Sequence, residues 1–304
     1  MLLRRREVLT FLTSAAIVPS TGLRAQPSTV SQRLRIVDAQ VHIWSGGTPT
    51  PAQRQQPVSK DQMLREMEEA GVDRAIIVPT SWDPLGNQPA IQAAQAHPDR
   101  FAVTGLVNVT SPGNAALIDT WKQQPGMLGV RLFLGTPQAT AALRNGATDW
   151  FWAAAERADL AVMVHAGGLL DAMASIAERH PGLRLCIDSL GATPRTRDAA
   201  AFADLPKLLA LTKLPNVVVK AEGVPTLSSE PYPHRNLHPF LRQVYDAFGP
   251  QRLFWGSDVT RLMTTSYEQA ITLFTEALPW LSDRDRELIM GRALSTWIGW
   301  PLPD

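Results

Sequence analysis

The chain of 304 residues has only one cysteine, Cys186, so no intramolecular disulfide can form. Its setting, LRLCIDSLG, is that of a strand, which suits a buried inert thiol better than a nucleophile. There is no surplus of either charge. Twenty-nine Lys and Arg stand against 28 Asp and Glu, for a formal net charge of +1. That balance leaves no electrostatic footprint for nucleic acid or anionic membrane and points to a small-molecule partner. The apolar run 8–18 covers about 11 residues, short of the ~20 that a spanning helix needs. No Gly-rich phosphate loop follows the first strand, which counts against a dinucleotide-binding sheet. What remains, 45% hydrophobic and 19% charged, is the composition of a globular chain with a substantial core.

The N-terminus reads as a separate segment. Arg4, Arg5 and Arg6 precede the apolar run, and small and polar residues follow as far as Leu23-Arg24-Ala25, the layout of a secretory signal. The spacing Arg5-Arg6-Glu7-Val8-Leu9 is similar to a twin-arginine signal. The expectation is a signal peptide over residues 1–25 and a folded domain over 26–304. It implies export to the periplasm, with no stable membrane insertion after cleavage.

The most informative stretch is IVDAQVHIW, residues 36–44. Residues two apart share a strand face, so Asp38, Gln40 and His42 are expected on one side, lining a site. A loop rich in Gly, Pro, Thr and Gln follows, then a helix capped by Ser59 and stopped by Gly71. From there apolar strands alternate with helical segments: RAIIV, FAVTGLVNV, GMLGVRLFL, LAVMVHAGG, LRLCIDSLG, NVVVKAEGV and RLFWGSDVT. The last helical stretch is expected to run unbroken over 283–297. Near-continuous apolar strands between amphipathic helices indicate a parallel sheet covered on both faces. Eight units in this length fit an α/β fold of the (β/α)8 TIM-barrel type as a single domain, with a doubly wound sheet as the alternative.

In such a barrel the site lies at the C-terminal ends of the strands, and polar residues recur there. They are Gln40 and His42 on strand one, Ser81 and Trp82 after strand two, Arg131 on strand four and His165 on strand five. Asp188 and Ser189 end strand six, Lys220 and Glu222 lie on strand seven, and Asp258 follows strand eight. Each also has a plain structural reading. Arg131 can pair with a neighbouring acid, Lys220 and Glu222 can neutralise each other, and Asp188, out of phase with Ser189, is expected to face the helices. The segment SSEPYPHRNLHPF, which holds Tyr232, His234, Arg235 and His238, reads either as a lid or as a plain surface loop.

The ordered set IVDAQVHIW, VHAGG, CIDSLG, VVVKAEG and LFWGSD resembles the amidohydrolase-related family of (β/α)8 hydrolases and decarboxylases, over nearly all of the chain after residue 33. Within it the look is of the lactone-hydrolase branch, which includes pyrone dicarboxylate lactonase and sulfomuconolactone hydrolase. The family pattern has a His-x-His pair on strand one, a His on strand five, a His on strand six and an Asp on strand eight. The matching positions here are Gln40 and His42, His165, Ser189 and Asp258, so two of the usual histidines are absent. Neutral amide and hydroxyl groups are weak zinc ligands. The expectation is therefore no cofactor, with one divalent zinc on His42, His165 and Asp258 as the alternative.

The resemblance implies hydrolysis of an activated cyclic ester. Asp258, with its pKa raised by desolvation, is expected as general base, with His42 and His165 polarising the carbonyl and Arg131 holding a substrate carboxylate. Gln40, Ser81, Ser189 and Glu222 are expected as further substrate contacts, Gln40 offering an open hydrogen-bonding position. The alternatives are a metal-dependent hydrolase, a decarboxylase of an unsaturated acid, or a non-catalytic binding relative. Homo-oligomerisation is left open.

Overall fold

The computed structural model describes residues 33–302. The signal-peptide reading of residues 1–25 falls outside them. From Leu34 onward the chain forms one compact unit. Its centre is a sheet of eight strands in sequence order: β1 Val37–Val41, β2 Arg74–Ile77, β3 Phe101–Gly105, β4 Met127–Phe133, β5 Ala161–His165, β6 Arg184–Ile187, β7 Val217–Glu222 and β8 Leu253–Gly256. Each strand pairs with the next in parallel. Parallel neighbours need a crossover, and helices supply it each time. The fold is a (β/α)8 barrel.

Two sets of apolar side chains pack on the two faces of this sheet. Val37, Ala39, Ile76, Ala102, Met163, Cys186, Val218 and Phe254 fill the inside. A larger set, with Val41, Ile77, Val103, Val130, Val162 and Val219, packs against the helices. Cys186 is fully buried, and burial together with the Asp188 charge pushes its thiol well up, which agrees with an inert role. The N-terminal end of the barrel is stoppered by the C-terminal segment, whose Leu294, Trp297 and Trp300 join the inner core. Arg184 donates to the Trp297 carbonyl at 2.7 Å and Arg74 to the Pro301 carbonyl at 2.9 Å, which fastens that segment to the strand starts.

Local signals explain the elements. Ser59 accepts from Gln62 N–H at 3.1 Å at the start of the helix Lys60–Ala70, and Gly71, at φ +74°, ends it. The expected unbroken helix over 283–297 is interrupted instead. It divides into Asp283–Glu287, a wide turn at Leu288–Arg292 and Ala293–Ile298. The cause is a close approach: a Cβ on Gly291 would stand 2.8 Å from the Arg35 carbonyl oxygen, so the helix has to adjust where it crosses the strand-one lead. A helix not read from sequence, Pro137–Arg144, lies between β4 and β5, capped by Thr136.

The seam between β8 and β1 is closed by specific bonds. Asp258 N–H donates to the Gln40 carbonyl at 3.0 Å, and Ser257 N–H donates to Asp38 Oδ1 at 2.9 Å. Tyr267 OH, from the helix Tyr267–Thr275, donates to Asp38 Oδ2 at 2.6 Å. The shared-face expectation for Asp38, Gln40 and His42 fails here. The pairing register of β1 shifts between Asp38 and Val41, so Ala39 packs inside the barrel and Val41 outside it. A bulge changes the phase of a strand. Asp38 is thereby given to the seam, while Gln40 and His42 go to the mouth.

Candidate active site

Three consecutive strands end in the same backbone device. Ser189 after β6, Gly223 after β7 and Asp258 after β8 all have left-handed φ, at +51°, +62° and +49°. That region is costly for a residue with a Cβ and is concentrated at functional turns. In each case the chain turns sharply at the rim.

At the seam, His42 Nδ1–H donates to the Val78 carbonyl at 2.7 Å, which fixes the ring. Its Nε2 stands 3.1 Å from Asp258 Oδ1, within ion-pair range but off the angle of a hydrogen bond. Arg261 Nη1 reaches Asp258 Oδ2 at 3.2 Å. Burial would push the Asp258 carboxyl up, but the His42 contact and the Arg261 charge outweigh it and hold the group well below the usual carboxylate range. The expected upward shift is thus reversed, because the His42 contact and the Arg261 guanidinium outweigh desolvation. Arg261 was not singled out from sequence; its position three residues after Asp258 in GSDVTR was the available signal.

The opposite side of the mouth is a buried charge cluster. Lys220 is wholly enclosed, with Nζ 3.0 Å from Asp188 Oδ1 and donating to Gln40 Oε1 at 2.8 Å. Asp188 Oδ2 accepts from Arg131 Nε at 3.2 Å. Burial opposes the charged form of Asp188, but Lys220 and Arg131 prevail and lower its pKa. Asp188 therefore does not face the helices as expected: the left-handed turn at Ser189 and Leu190 lets it serve the mouth. Lys220 and Glu222 do not form the expected direct pair either. Glu222 accepts instead from Ser189 N–H and Ser189 Oγ, both at 2.6 Å. Burial, relieved only partly by Lys220, pushes the Glu222 carboxyl up to about 7.

Gln40 is not an open position. Lys220 holds its Oε1, and its Nε2 lies 3.4 Å from His42 Nε2. Ser81 is exposed in the turn after β2; the buried residue of that turn is Asp83, whose carboxylate accepts from Ser45 N–H at 2.6 Å and Ser45 Oγ at 2.9 Å. Arg131 does pair with a neighbouring acid, yet only through Nε, and its Nη groups have no hydrogen-bond partner among the described residues. Its guanidinium lies 5.8 Å from the Phe133 ring, which is 48% exposed at the end of β4 and 5.1 Å from the His165 ring. Burial and the nearby Arg131 charge pull the His165 pKa down to about 4, so its imidazole is neutral at pH 7. His165 Nδ1 is buried without a hydrogen-bond partner.

The segment over 228–240 is fastened rather than hinged. Tyr232 OH donates to Thr272 Oγ1 at 3.0 Å, Ser229 N–H to Asp198 Oδ1 at 2.8 Å, and the buried His234 Nδ1–H to the Glu230 carbonyl at 2.8 Å.

Among the described residues no three His, Cys, Asp or Glu side chains converge as a metal would require. His42 meets Asp258, but His165 does not complete the set. A permanent Lys220 cation occupies the carbonyl oxygen of Gln40, and Glu222 occupies the hydroxyl of Ser189. Among the described residues His42, His165 and Asp258 do not assemble the three-ligand zinc site considered from sequence.

An acid–imidazole pair and a buried charge cluster stand at the C-terminal rim, the end at which (β/α)8-barrel enzymes carry their sites. The match of a family model described as amidohydrolase to residues 37–293 then shows that the chain belongs to the amidohydrolase family. The chain is 28% identical over 249 residues to L-fucono-1,5-lactonase of Burkholderia ambifaria, covering 74% of this chain and 81% of that protein. An amidohydrolase of Burkholderia multivorans with bound zinc superposes with a TM-score of 0.73 at 21% identity, over 88% of this chain and 100% of the other. A probable 2-pyrone-4,6-dicarboxylic acid hydrolase of Acinetobacter baumannii superposes with a TM-score of 0.68 at 21% identity, over 87% and 99%. At that identity the two superpositions speak for the fold alone.

Proposed function

We propose that the protein hydrolyses the ester bond of a lactone that carries a carboxylate. The 3.1 Å approach of His42 Nε2 to Asp258 Oδ1 at the barrel mouth carries this reading. Asp258 is too acidic to be a strong base alone, since proton-transfer efficiency follows the acceptor's pKa. The pair acts as a unit: Asp258 receives the proton of the attacking water and His42 holds it as imidazolium beside the carboxylate. His165, neutral and with an unspent ring nitrogen, donates to the carbonyl oxygen as charge develops there. The free Nη groups of Arg131 take the substrate carboxylate, which suits a planar guanidinium. The similarity to L-fucono-1,5-lactonase supports the bond type.

The test is turnover of coumalic acid, a lactone with a carboxylate, and of D-glucono-1,5-lactone, a lactone without one, by full-length protein, before and after chelator and with elemental analysis. Hydrolysis of the acidic lactone that survives chelation at substoichiometric metal supports the reading. Activity that tracks metal content would favour the metal-dependent alternative, and no lactone turnover would overturn it.

A further inference from the structure

Ser189 stands at a sharp left-handed turn on the end of β6, with its Oγ 2.6 Å from a carboxylate on the neighbouring strand. A hydroxyl on a sharp strand-end turn, hydrogen-bonded to a base that is itself oriented, is the constellation of an activated nucleophile. The orientation is strict here, because Ser189 N–H fixes Glu222 Oε2 at 2.6 Å while Oε1 faces the hydroxyl. Both groups are buried, Ser189 at 8% exposure and Glu222 at 2%. The preceding residue, Asp188, holds Arg131 through Nε at 3.2 Å, which leaves the Nη donors of that guanidinium unspent. Asp258 packs against the neighbouring strand end: its Oδ2 lies 3.5 Å from where a Cβ on Gly223, the residue after Glu222, would stand.

We propose that Ser189 is a covalent nucleophile with Glu222 as its base, so that ester cleavage passes through an acyl-serine. This rests on the reading of the mouth as an ester-hydrolysing site. Ser189 Oγ attacks the acyl carbon and its proton passes to Glu222 Oε1. The carbonyl oxygen takes up the charge and returns it as the acyl carbon–oxygen bond breaks. The departing oxygen then recovers the proton from Glu222. Water, giving its proton to the Asp258–His42 pair, attacks the acyl-serine; the Oγ–acyl bond breaks, Oγ takes up that proton from the pair and the acid leaves. Glu222, with its pKa near neutrality, is ionised enough at pH 7 to take the proton and acidic enough to return it.

The experiment uses p-nitrophenyl acetate as an acyl donor with the full chain. The expected result is a burst of one equivalent of p-nitrophenolate and, after acid quench, an acetyl group on the peptide that contains Ser189. Asp258→Asn should lengthen the life of that adduct, Glu222→Gln should slow the burst by ~10²-fold, and Ser189→Gly should abolish it. Ser189→Gly is the informative variant, because glycine accepts the left-handed φ and a thermal melt reports whether the fold is intact. No burst, or acetylation elsewhere, with Ser189→Gly as active as wild type, overturns the proposal. Coumalic acid turnover separates the two readings. Turnover without acylation sinks the nucleophile alone, whereas acylation without lactone turnover sinks the lactone assignment and leaves the nucleophile standing.

Discussion

The two sides of the barrel mouth treat a buried carboxylate in opposite ways. At the β8–β1 seam, Asp258 has an imidazole at 3.1 Å and a guanidinium at 3.2 Å, and its pKa falls. At the β6–β7 corner, Glu222 has neutral donors from Ser189 and shares the Lys220 charge with Asp188, and its pKa rises to about 7. Burial is nearly the same at the two sites, at 1% and 2% exposure, so burial does not decide the direction. Counter-charge does. Groups driven apart in this way are suited to different chemical roles.

Breaking the seam should have the largest effect. Asp258→Asn is expected to lower kcat for an acidic lactone by ~10²–10⁴-fold, because the proton acceptor and the partner of His42 are lost together. Steady-state hydrolysis measures it. Breaking the corner at its cation is expected to cost stability. Lys220→Met leaves Asp188 buried with Arg131 alone and should destabilise the fold by about 3–5 kcal/mol in urea unfolding, with partial recovery when Asp188→Asn is added.

The third prediction sharpens the contrast by pH. Glu222 holds its proton in the folded state up to about 7 but only to 4.5 as a free group, so its contribution to stability falls as pH rises through that window. Asp258 contributes in the other sense, with stability present above 3.8 and lost as the pH falls below it. Between about pH 5 and pH 8, wild-type Tm should therefore decline relative to Glu222→Gln, which has no proton to give up. Parallel profiles for the two proteins would remove Glu222 as the source. The smallest effect is expected from Tyr267→Phe, which deprives Asp38 Oδ2 of its 2.6 Å donor and should cost about 1–2 kcal/mol without altering the corner.

The barrel was legible in the sequence because each of its eight strands is an apolar run with a helix behind it, and that pattern survives without any knowledge of contacts. The rim residues His42, Arg131, His165, Ser189, Glu222 and Asp258 were also legible, since strand ends mark the rim. Their partners were not. The register shift in β1 that separates Asp38 from Gln40 leaves no signal in an alternating pattern. The left-handed φ of Ser189 and Leu190, which turns Asp188 to the mouth, occurs in residues that do not advertise it. The link from Lys220 to Gln40 spans 180 residues, a distance at which local periodicity says nothing.

The C-terminal stopper has a kinetic corollary. With Leu294, Trp297 and Trp300 packed into the far end, the barrel has one doorway, and whatever leaves must retrace the path of what entered. A ring-opened acid therefore waits in the same vestibule as the next molecule to arrive. It should compete with it directly, raising the apparent KM and leaving the maximal velocity untouched.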